Sequence, residues 1–582
     1  MYDHRDFFLK PEDSLQRQYE TLRAFYVDKK SAEEVAYSFG LSLSYFNKLR
    51  SLFHQEIANN KRPLFFIKRR PGPKEIPLET TTREKVIELR KKNYSIVEIK
   101  AILNARGIYL ALPQIRKILK QEGFSRLPRR TKRERNRIEP PVKIRACKVE
   151  RLNFEALDQR TFDTRYGGIF LFLPFIKRLR LNQIVEKASY PETSCFGSFN
   201  YCLSFLLLKL IDKERLSHVD HLSFDAGCGL FAGLNLLPKS SSLSSYSYKI
   251  IREMNRSFLK ELFIATQRLV PPSGDVNLDF TAIPHWGDES ILEHNWSGKR
   301  RTGLKSVLAL IAQDPGTGIL PYSNAQVRHK TKNDEVLCFI DFWAEISKES
   351  IKCLIFDSKF TTYENLSKLN SDGIKFITLR RRGKNLVEGI NKIFSSSWKT
   401  VTLENLKRKY RKLRVYDSKI HLQGYKGRIR QIIVTNHGRE LPAFIITNDF
   451  EMSTKDILTK YARRWLVEKG ISEQIDFFHL NMVSSSIVVK VDFDLTMTLL
   501  ANTLYRLLGK ELIGFEDCTA KSIFSKFIDN GAGVQISYPN IKVNLRKKAH
   551  NPIISETEMF NKEIFIPWYG NYSLRLDCQN TT

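Results

Sequence analysis

Three carboxylates in apolar surroundings set the chemistry this chain can do. Asp279 interrupts the run Val276-Asn-Leu-Asp279-Phe-Thr-Ala-Ile283, and Asp357 closes Ile351-Lys-Cys-Leu-Ile-Phe-Asp357. Both runs read as β-strands. A charge inside such a run is costly unless it is used. Glu468 ends Tyr461-Ala-Arg-Arg-Trp-Leu-Val-Glu468, which reads as a helix. At about 100° per residue, Tyr461, Arg464 and Glu468 fall on one stripe, with Arg464 and Glu468 as i,i+4 neighbours. A carboxylate, a guanidinium and a phenol that face one way can grip a phosphate beside a metal ion. Each element also has a plainer reading. Asp279 can be an edge charge, Asp357 a cap or turn residue, and the stripe an amphipathic helix with an Arg–Glu pair.

Two carboxylates placed side by side repel unless a cation neutralises them. Mg²⁺ prefers oxygen ligands and keeps positions open for phosphate and water. Two Mg²⁺ ions, or Mn²⁺ in their place, can activate an attacking oxygen and stabilise a leaving one. Asp279, Asp357 and Glu468 are therefore the candidate catalytic residues and metal ligands, and Tyr461 and Arg464 the candidate DNA contacts. Glu473 competes for the third position. It lies about 140° around the helix from Glu468, off the stripe of Tyr461 and Arg464, which favours Glu468. His479 reads as structural or DNA-facing rather than as a ligand.

The elements around these residues have α/β texture. After the strand holding Asp279 come Ser306–Gln313, a turn at Asp314-Pro-Gly-Thr-Gly318, and a third strand over 319–327. Asn333 is placed to cap a helix through Val336, Phe339, Ile340 and Trp343. The strand ending at Asp357, a helix over 363–369 and a strand over 373–379 follow. This βββαβαβ order predicts that a central first strand pairs with the fourth, bringing Asp279 beside Asp357. The order and the helical Tyr-x2-Arg-x3-Glu spacing resemble the bacterial insertion-sequence transposases of the DDE class, in the branch marked by that signature. Asp279 in Leu-Asp-Phe-Thr and Asp357 in Ile-Phe-Asp-Ser-Lys match the two family aspartates, and Tyr461, Arg464 and Glu468 match the signature. The resemblance covers about residues 270–510. One departure is Ile475, where the branch often has a Lys.

The resemblance implies an RNase H-like core over 271–383 and 451–510, with a β-rich insertion over 384–450. It also implies a DNA transposase that binds the ends of its element, cuts them with metal-activated water and joins the 3′-OH to target DNA. Alternatives are a catalytically inactive DNA-binding descendant and an RNase H-like nuclease that cuts without joining. The expected partners are double-stranded DNA, as element ends and target, and a second copy of the chain on DNA. The expected setting is a bacterial cytoplasm, at the nucleoid. Within the insertion, Asp449 reads as a helix cap before Ser453-Thr-Lys-Asp456 rather than as an extra metal ligand.

The rest of the chain agrees with a nucleic-acid partner. The formal net charge is +32 over 582 residues, with an isoelectric point near 9.7. Such an excess suits a polyanion. The longest apolar run, Tyr201–Ile211, is too short to span a membrane and contains Lys209; a membrane partner is not expected, and no signal peptide opens the sequence. The eight cysteines form no C-x-x-C pair, which argues against structural zinc.

Residues 1–67 have helix-turn-helix cadence: Ser31 and Glu34 as a capping box, Ala36 for close approach, Gly40 for the turn, and Asn47, Lys48 and Arg50 on a helix able to enter a major groove. The cadence recurs over 75–127, where Arg116 and Lys117 follow Pro113. Residues 128–150 are a basic linker with Arg129 and Arg130, suited to tracking phosphate. Residues 151–270 read as a helical domain and 511–582 as a C-terminal region without legible chemistry. The fold class is thus multidomain α+β: helix-turn-helix modules, a helical domain, and an α/β core with a β-rich insertion.

Overall fold

The computed structural model describes residues 5–58, 80–91, 94–122, 124, 152–193, 195–284, 293–297, 302–347, 350–357, 362–403, 412–438, 441–464, 473, 477–480, 488–560 and 562–579. The chain divides into a unit of residues 1–79 and a unit of residues 80–582.

In the first unit the helices Ser14–Tyr26, Ala32–Ser38 and Leu43–Ala58 close around Leu22, Val35, Ala36 and Phe46. The Ser31 hydroxyl accepts from the Glu34 amide at 3.2 Å and the Glu34 carboxylate accepts from the Ser31 amide at 3.0 Å. This reciprocal cap fixes where the second helix begins. Gly40 turns the chain at φ +62°, a conformation that a side chain disfavours. Ser42, rather than Ser44, receives the Tyr45 amide at the head of the third helix (3.2 Å).

The second unit opens with the helices Thr80–Lys91, Ile96–Ala105 and Leu112–Gln121. Ser95 and Glu98 repeat the capping box. The first of these helices rests on the rest of the unit: Lys91 donates to the Ile250 carbonyl at 2.5 Å. Glu122 joins Arg83 (2.5 Å) to Arg328 (3.0 Å).

A small strand, β1 (Thr161–Thr164), lies in the mostly helical stretch that follows. The large sheet is built from β2 (Asp275–Pro284), β3 (His294–Ser297), β4 (Thr302–Gln313), β5 (Tyr322–Val327), β6 (Cys353–Phe356), β7 (Phe376–Leu379), β8 (Lys399–Thr402), β9 (Lys412–His421), β10 (Arg428–Thr435) and β11 (Ala443–Thr447). Its path is β3-β4-β2-β6-β7-β11-β10-β9-β8, with β5 on β4. β2 is antiparallel to β4 and parallel to β6, and β6 is parallel to β7. The expected pairing of first and fourth strands is therefore present.

Two details differ from the sequence reading. A short strand, β3, pairs with β4 and was not expected; His294-Asn-Trp-Ser297 has no alternation to announce it. The helix Glu335–Ile346 has Asp334, not Asn333, at its cap position. Asn333 instead offers its carbonyl to the Asn365 amide (3.0 Å). The strands of residues 399–447 continue the large sheet, because β11 pairs with β7.

β12 (Ala532–Ser537), β13 (Asn540–Leu545), β14 (Glu563–Phe565) and β15 (Ser573–Cys578) form a second sheet with β1, in the order β1-β12-β13-β15-β14. The long helix Val488–Glu511 ties the two sheets together. Phe493, Met497 and Leu504 enter the core shared by the helical stretch and the second sheet, while Val491, Leu495 and Leu499 enter the core of the large sheet. A helix apolar on both sides is buried on both sides.

Candidate functional site

Alternation along β2 and β6 decides what each face of the sheet carries. Val276 and Leu278 enter the large apolar core with Leu354 and Phe356. Asp275, Asn277 and Asp279 therefore face the other way. Cys353 and Ile355 on that other face pack against Ile457, Leu458 and Ala462 of the helix Thr454–Arg463. The signature helix is thus laid on the aspartate face by its own apolar stripe. Ser453 caps it through the Asp456 amide at 3.1 Å. Asp449 accepts the Glu451 and Met452 amides at 2.9 Å each, so it builds the turn leading to that helix.

Asp279 and Asp357 meet at the end of the parallel pair. The register runs Asp275↔Cys353, Val276↔Leu354, Asn277↔Ile355, Leu278↔Phe356, and the next rung sets Asp279 beside Asp357. Neighbouring strands lie about 4.8 Å apart, so same-face positions on one rung of β2 and β6 are neighbours. Neither is sealed in the core; both are partly exposed.

Two cations of the signature helix reach the same strand. Lys460 binds Asp275 at 2.6 Å and Arg464 approaches Asp279 at 3.7 Å. The cations are i,i+4 on the helix and the acids i,i+4 on one strand face; four residues span about 6 Å of helix and about 13 Å of strand, so the long side chains make up the difference. Arg464 also stands 5.6 Å from the Tyr461 ring centroid. Burial pushes the Tyr461 phenol up to about 12; the Arg464 charge draws it back, and Asp357 and Asp279 both raise it further. The Tyr461 hydroxyl therefore lies within reach of the Arg464, Asp357 and Asp279 charges. Sequence reasoning missed Lys460 and Asp275. The signal was available, since Lys460 precedes Arg464 by one turn and Asp275 precedes Asp279 by two alternations.

Glu468 lies outside the described residues, as do Ile475, Arg129 and Arg130. Among the described residues, no group of three or more His, Cys, Asp or Glu side chains is arranged to hold a metal ion. Asp279 and Asp357 supply partly exposed oxygen donors on adjacent strands, the donor type that a hard divalent cation prefers. Glu473 is engaged elsewhere. It binds Arg506 at 2.9 Å and accepts from the Ala520 amide at the start of the next helix. His479 binds Asp212 at 2.7 Å. Among the remaining candidates, Asn47 and Lys48 are exposed on the helix Leu43–Ala58, and Arg50 lies over the Phe25 ring at 5.3 Å. Arg116 is exposed and Lys117 half-buried on the helix Leu112–Gln121.

This geometry has a counterpart among known families. Residues 276–504, the stretch that contains β2, β6 and the signature helix, match the transposase DDE domain family, and that stretch is a DDE transposase domain. No curated protein matches the chain. Among the described residues no helix is long and apolar enough to cross a membrane.

Proposed function

We propose that this protein is a DNA transposase that binds the ends of its own mobile element, cleaves them by metal-dependent phosphoryl transfer and joins the freed 3′-OH to target DNA. The observation that supports the reading is the parallel register of β2 and β6, which, carried one residue past Phe356, brings Asp357 level with Asp279 inside the matched domain. The strand order β5-β4-β2-β6-β7 is the one expected of an RNase H-like core. Asp279 and Asp357, with Glu468 as the third carboxylate, would hold Mg²⁺ or Mn²⁺. When bound, two such ions supply Lewis acidity at the scissile phosphate and lower the pKa of the attacking water.

The chain's own residues do the positioning. Arg464 carries a fixed positive charge beside Asp279 and is set to hold a non-bridging phosphate oxygen. Tyr461, kept neutral by burial, offers a ring and a hydroxyl at the strand. Lys460 locks the helix to Asp275 and so sets the height of Arg464 above the carboxylates. The exposed Asn47, Lys48 and Arg116 are proposed to contact DNA, and the net charge of +32 supplies the long-range attraction. Two element ends handled together suit a two-fold dimer on DNA.

The test is to incubate the full chain with the DNA that flanks its own gene, with Mg²⁺ or with EDTA, and to score cleavage and joining. Mg²⁺-dependent nicking at the element ends followed by strand joining is expected. Specific binding without cleavage would instead identify a DNA-binding descendant, and cleavage without joining a nuclease.

A further inference from the structure

A second basic feature lies away from the aspartate rung. A cavity of about 320 Å³ opens between the helix Ser198–Leu210, the loop after it, the helix Ser240–Ser247 and the start of the helix Val488–Glu511. Its height relative to the site follows from strand register. Asp279 faces Ile311 on β4, and Ile311 faces Ser323 on β5. The Ala325 amide, further along β5, donates to Asp492 at 3.0 Å. Asn502 reaches the Gly318 carbonyl, before β5, at 3.4 Å. The long helix thus runs from the catalytic end of the sheet to the opposite end, on the face of Val276 and Leu278 rather than that of Asp279, and its first turn brings Lys490 level with the catalytic end.

The charges lining the cavity do not cancel. Lys209 is neutralised by Asp494 at 2.9 Å, and His479 is bound to Asp212 at 2.7 Å. Lys213, Arg215 and Lys490 remain; Lys213 and Lys490 are half-buried, and Arg215 is exposed at the rim beside the exposed Glu214. Among the described residues, none of these three cations lies within ion-pair distance of a carboxylate. Lys490 is held in place by neutral groups: its ammonium sits 3.6 Å from the Tyr248 ring centroid and donates to the Ser244 hydroxyl at 2.9 Å. Lys213 lies over the Tyr166 ring at 5.3 Å. Aromatic faces and a hydroxyl orient an ammonium without neutralising it. Burial alone draws the Lys490 amine down to about 8, the signature of a cation enclosed without a counter-charge. An oxyanion entering the cavity would supply that charge.

We propose that this cavity binds a phosphate group, and that Lys490, Lys213 and Arg215 hold a backbone phosphate of the DNA that the catalytic centre engages. The proposal rests on the transposase reading for the identity of the strand, and on the cavity alone for the phosphate chemistry.

The experiment uses the full chain and the variants Lys490→Gln and Lys213→Gln, singly and together. Binding of a fluorescent duplex taken from the flank of the gene is followed by anisotropy in EDTA across a series of salt concentrations. Removing each phosphate contact should lower the slope of log affinity against log salt by about 1, and the double variant should bind about tenfold more weakly at a fixed low salt. Melting temperature reports folding. If the double variant does not fold, the half-exposed Lys213 alone decides.

A second arm titrates inorganic phosphate against the melting temperature at constant ionic strength. Stabilisation of the wild type that is lost in the variants, with DNA affinity unchanged, would assign the cavity to free phosphate rather than to a strand and would overturn the DNA part of the proposal. Unchanged DNA affinity, unchanged slope and no phosphate effect would overturn all of it. Asp279→Asn run in parallel separates the two readings. It should keep wild-type affinity and slope while losing cleavage, whereas a wild type that binds no DNA contradicts the transposase reading and leaves the phosphate arm to judge the cavity.

Discussion

Two pairs of acids in this molecule come close to one another, and their surroundings differ. Glu84 of the helix Thr80–Lys91 meets Glu253 of the helix Arg252–Leu269. Burial first, then the hydrogen bond and charge of Glu253, raise the Glu84 carboxyl to about 8. With its proton in place, Glu84 hydrogen-bonds Glu253 and joins the two helices. Asp279 and Asp357 meet at an accessible strand end, with Arg464 at 3.7 Å from one of them. Apolar alternation puts this pair on one face of the sheet. A proton settles the first repulsion; at the second, the proposed function assigns that task to a divalent ion.

Saturated carboxylates give the other side of the comparison. Asp492 is fully buried and accepts from Arg252 (3.0 and 3.2 Å), Asn255 (2.9 Å) and the Ala325 amide (3.0 Å). Glu473 is nearly buried and spends its oxygens on Arg506 and the Ala520 amide. Groups already held by fixed donors make poor metal ligands, because a metal would have to displace every one of them. This is the physical argument for excluding Glu473 from the catalytic set, and it is independent of the helical-stripe argument.

The largest effect is expected at Asp279 and Asp357. Asp279→Asn or Asp357→Asn should reduce Mg²⁺-dependent strand cleavage by on the order of 10³-fold, the scale of removing a group that stabilises transition-state charge, while anisotropy shows DNA binding retained. Full cleavage by either variant would break the comparison. At the saturated site the expected loss is in stability. Asp492→Ala leaves Arg252 buried and unpaired, which should cost about 3–5 kcal/mol, read by urea denaturation; a change under about 1 kcal/mol would show that Asp492 is not saturated as described. Glu473→Gln should cost less, about 1–3 kcal/mol, because the amide can still accept from Ala520.

The smallest effect concerns the proton-sharing pair. In the folded protein Glu84 keeps its proton up to about pH 8, whereas an ordinary glutamate loses it near 4.5. The folded state binds the extra proton between those values, so the contribution of this contact is full below the ordinary value and is lost as pH rises through about 8. Hydrogen exchange of the helix Thr80–Lys91 should therefore rise over that interval relative to the rest of the unit, and Glu84→Gln should flatten the dependence. An identical profile in the variant would remove the shared proton.

Much of this was legible in the chain because the signals are local. Asp279 stands out in a run of alternating apolar residues, Asp357 ends another, and the Ser31–Glu34 and Ser95–Glu98 boxes mark helix starts by themselves. What was not legible depends on contacts distant in sequence. β1 is four residues without alternation and exists because β12 pairs with it. Lys460 reads as one more surface lysine until Asp275 is placed beneath it. Glu473 reads as a rival ligand until Arg506 and Ala520 are brought to it. Asp334 displaced Asn333 as the cap because Asn365 takes the Asn333 carbonyl, a choice made by packing.

The central claim is that the third carboxylate of the Asp279–Asp357 site is Glu468 and that Glu473 is structural. The direct measurement is Mg²⁺-dependent cleavage of flanking DNA by Glu468→Gln and Glu473→Gln side by side, normalised to folded protein. The account predicts that Glu468→Gln binds DNA and does not cut, while Glu473→Gln melts at a lower temperature and cuts at close to the wild-type rate. An active Glu468→Gln beside an inactive, folded Glu473→Gln would contradict it, and would make Tyr461, Arg464 and Glu468 a packing stripe.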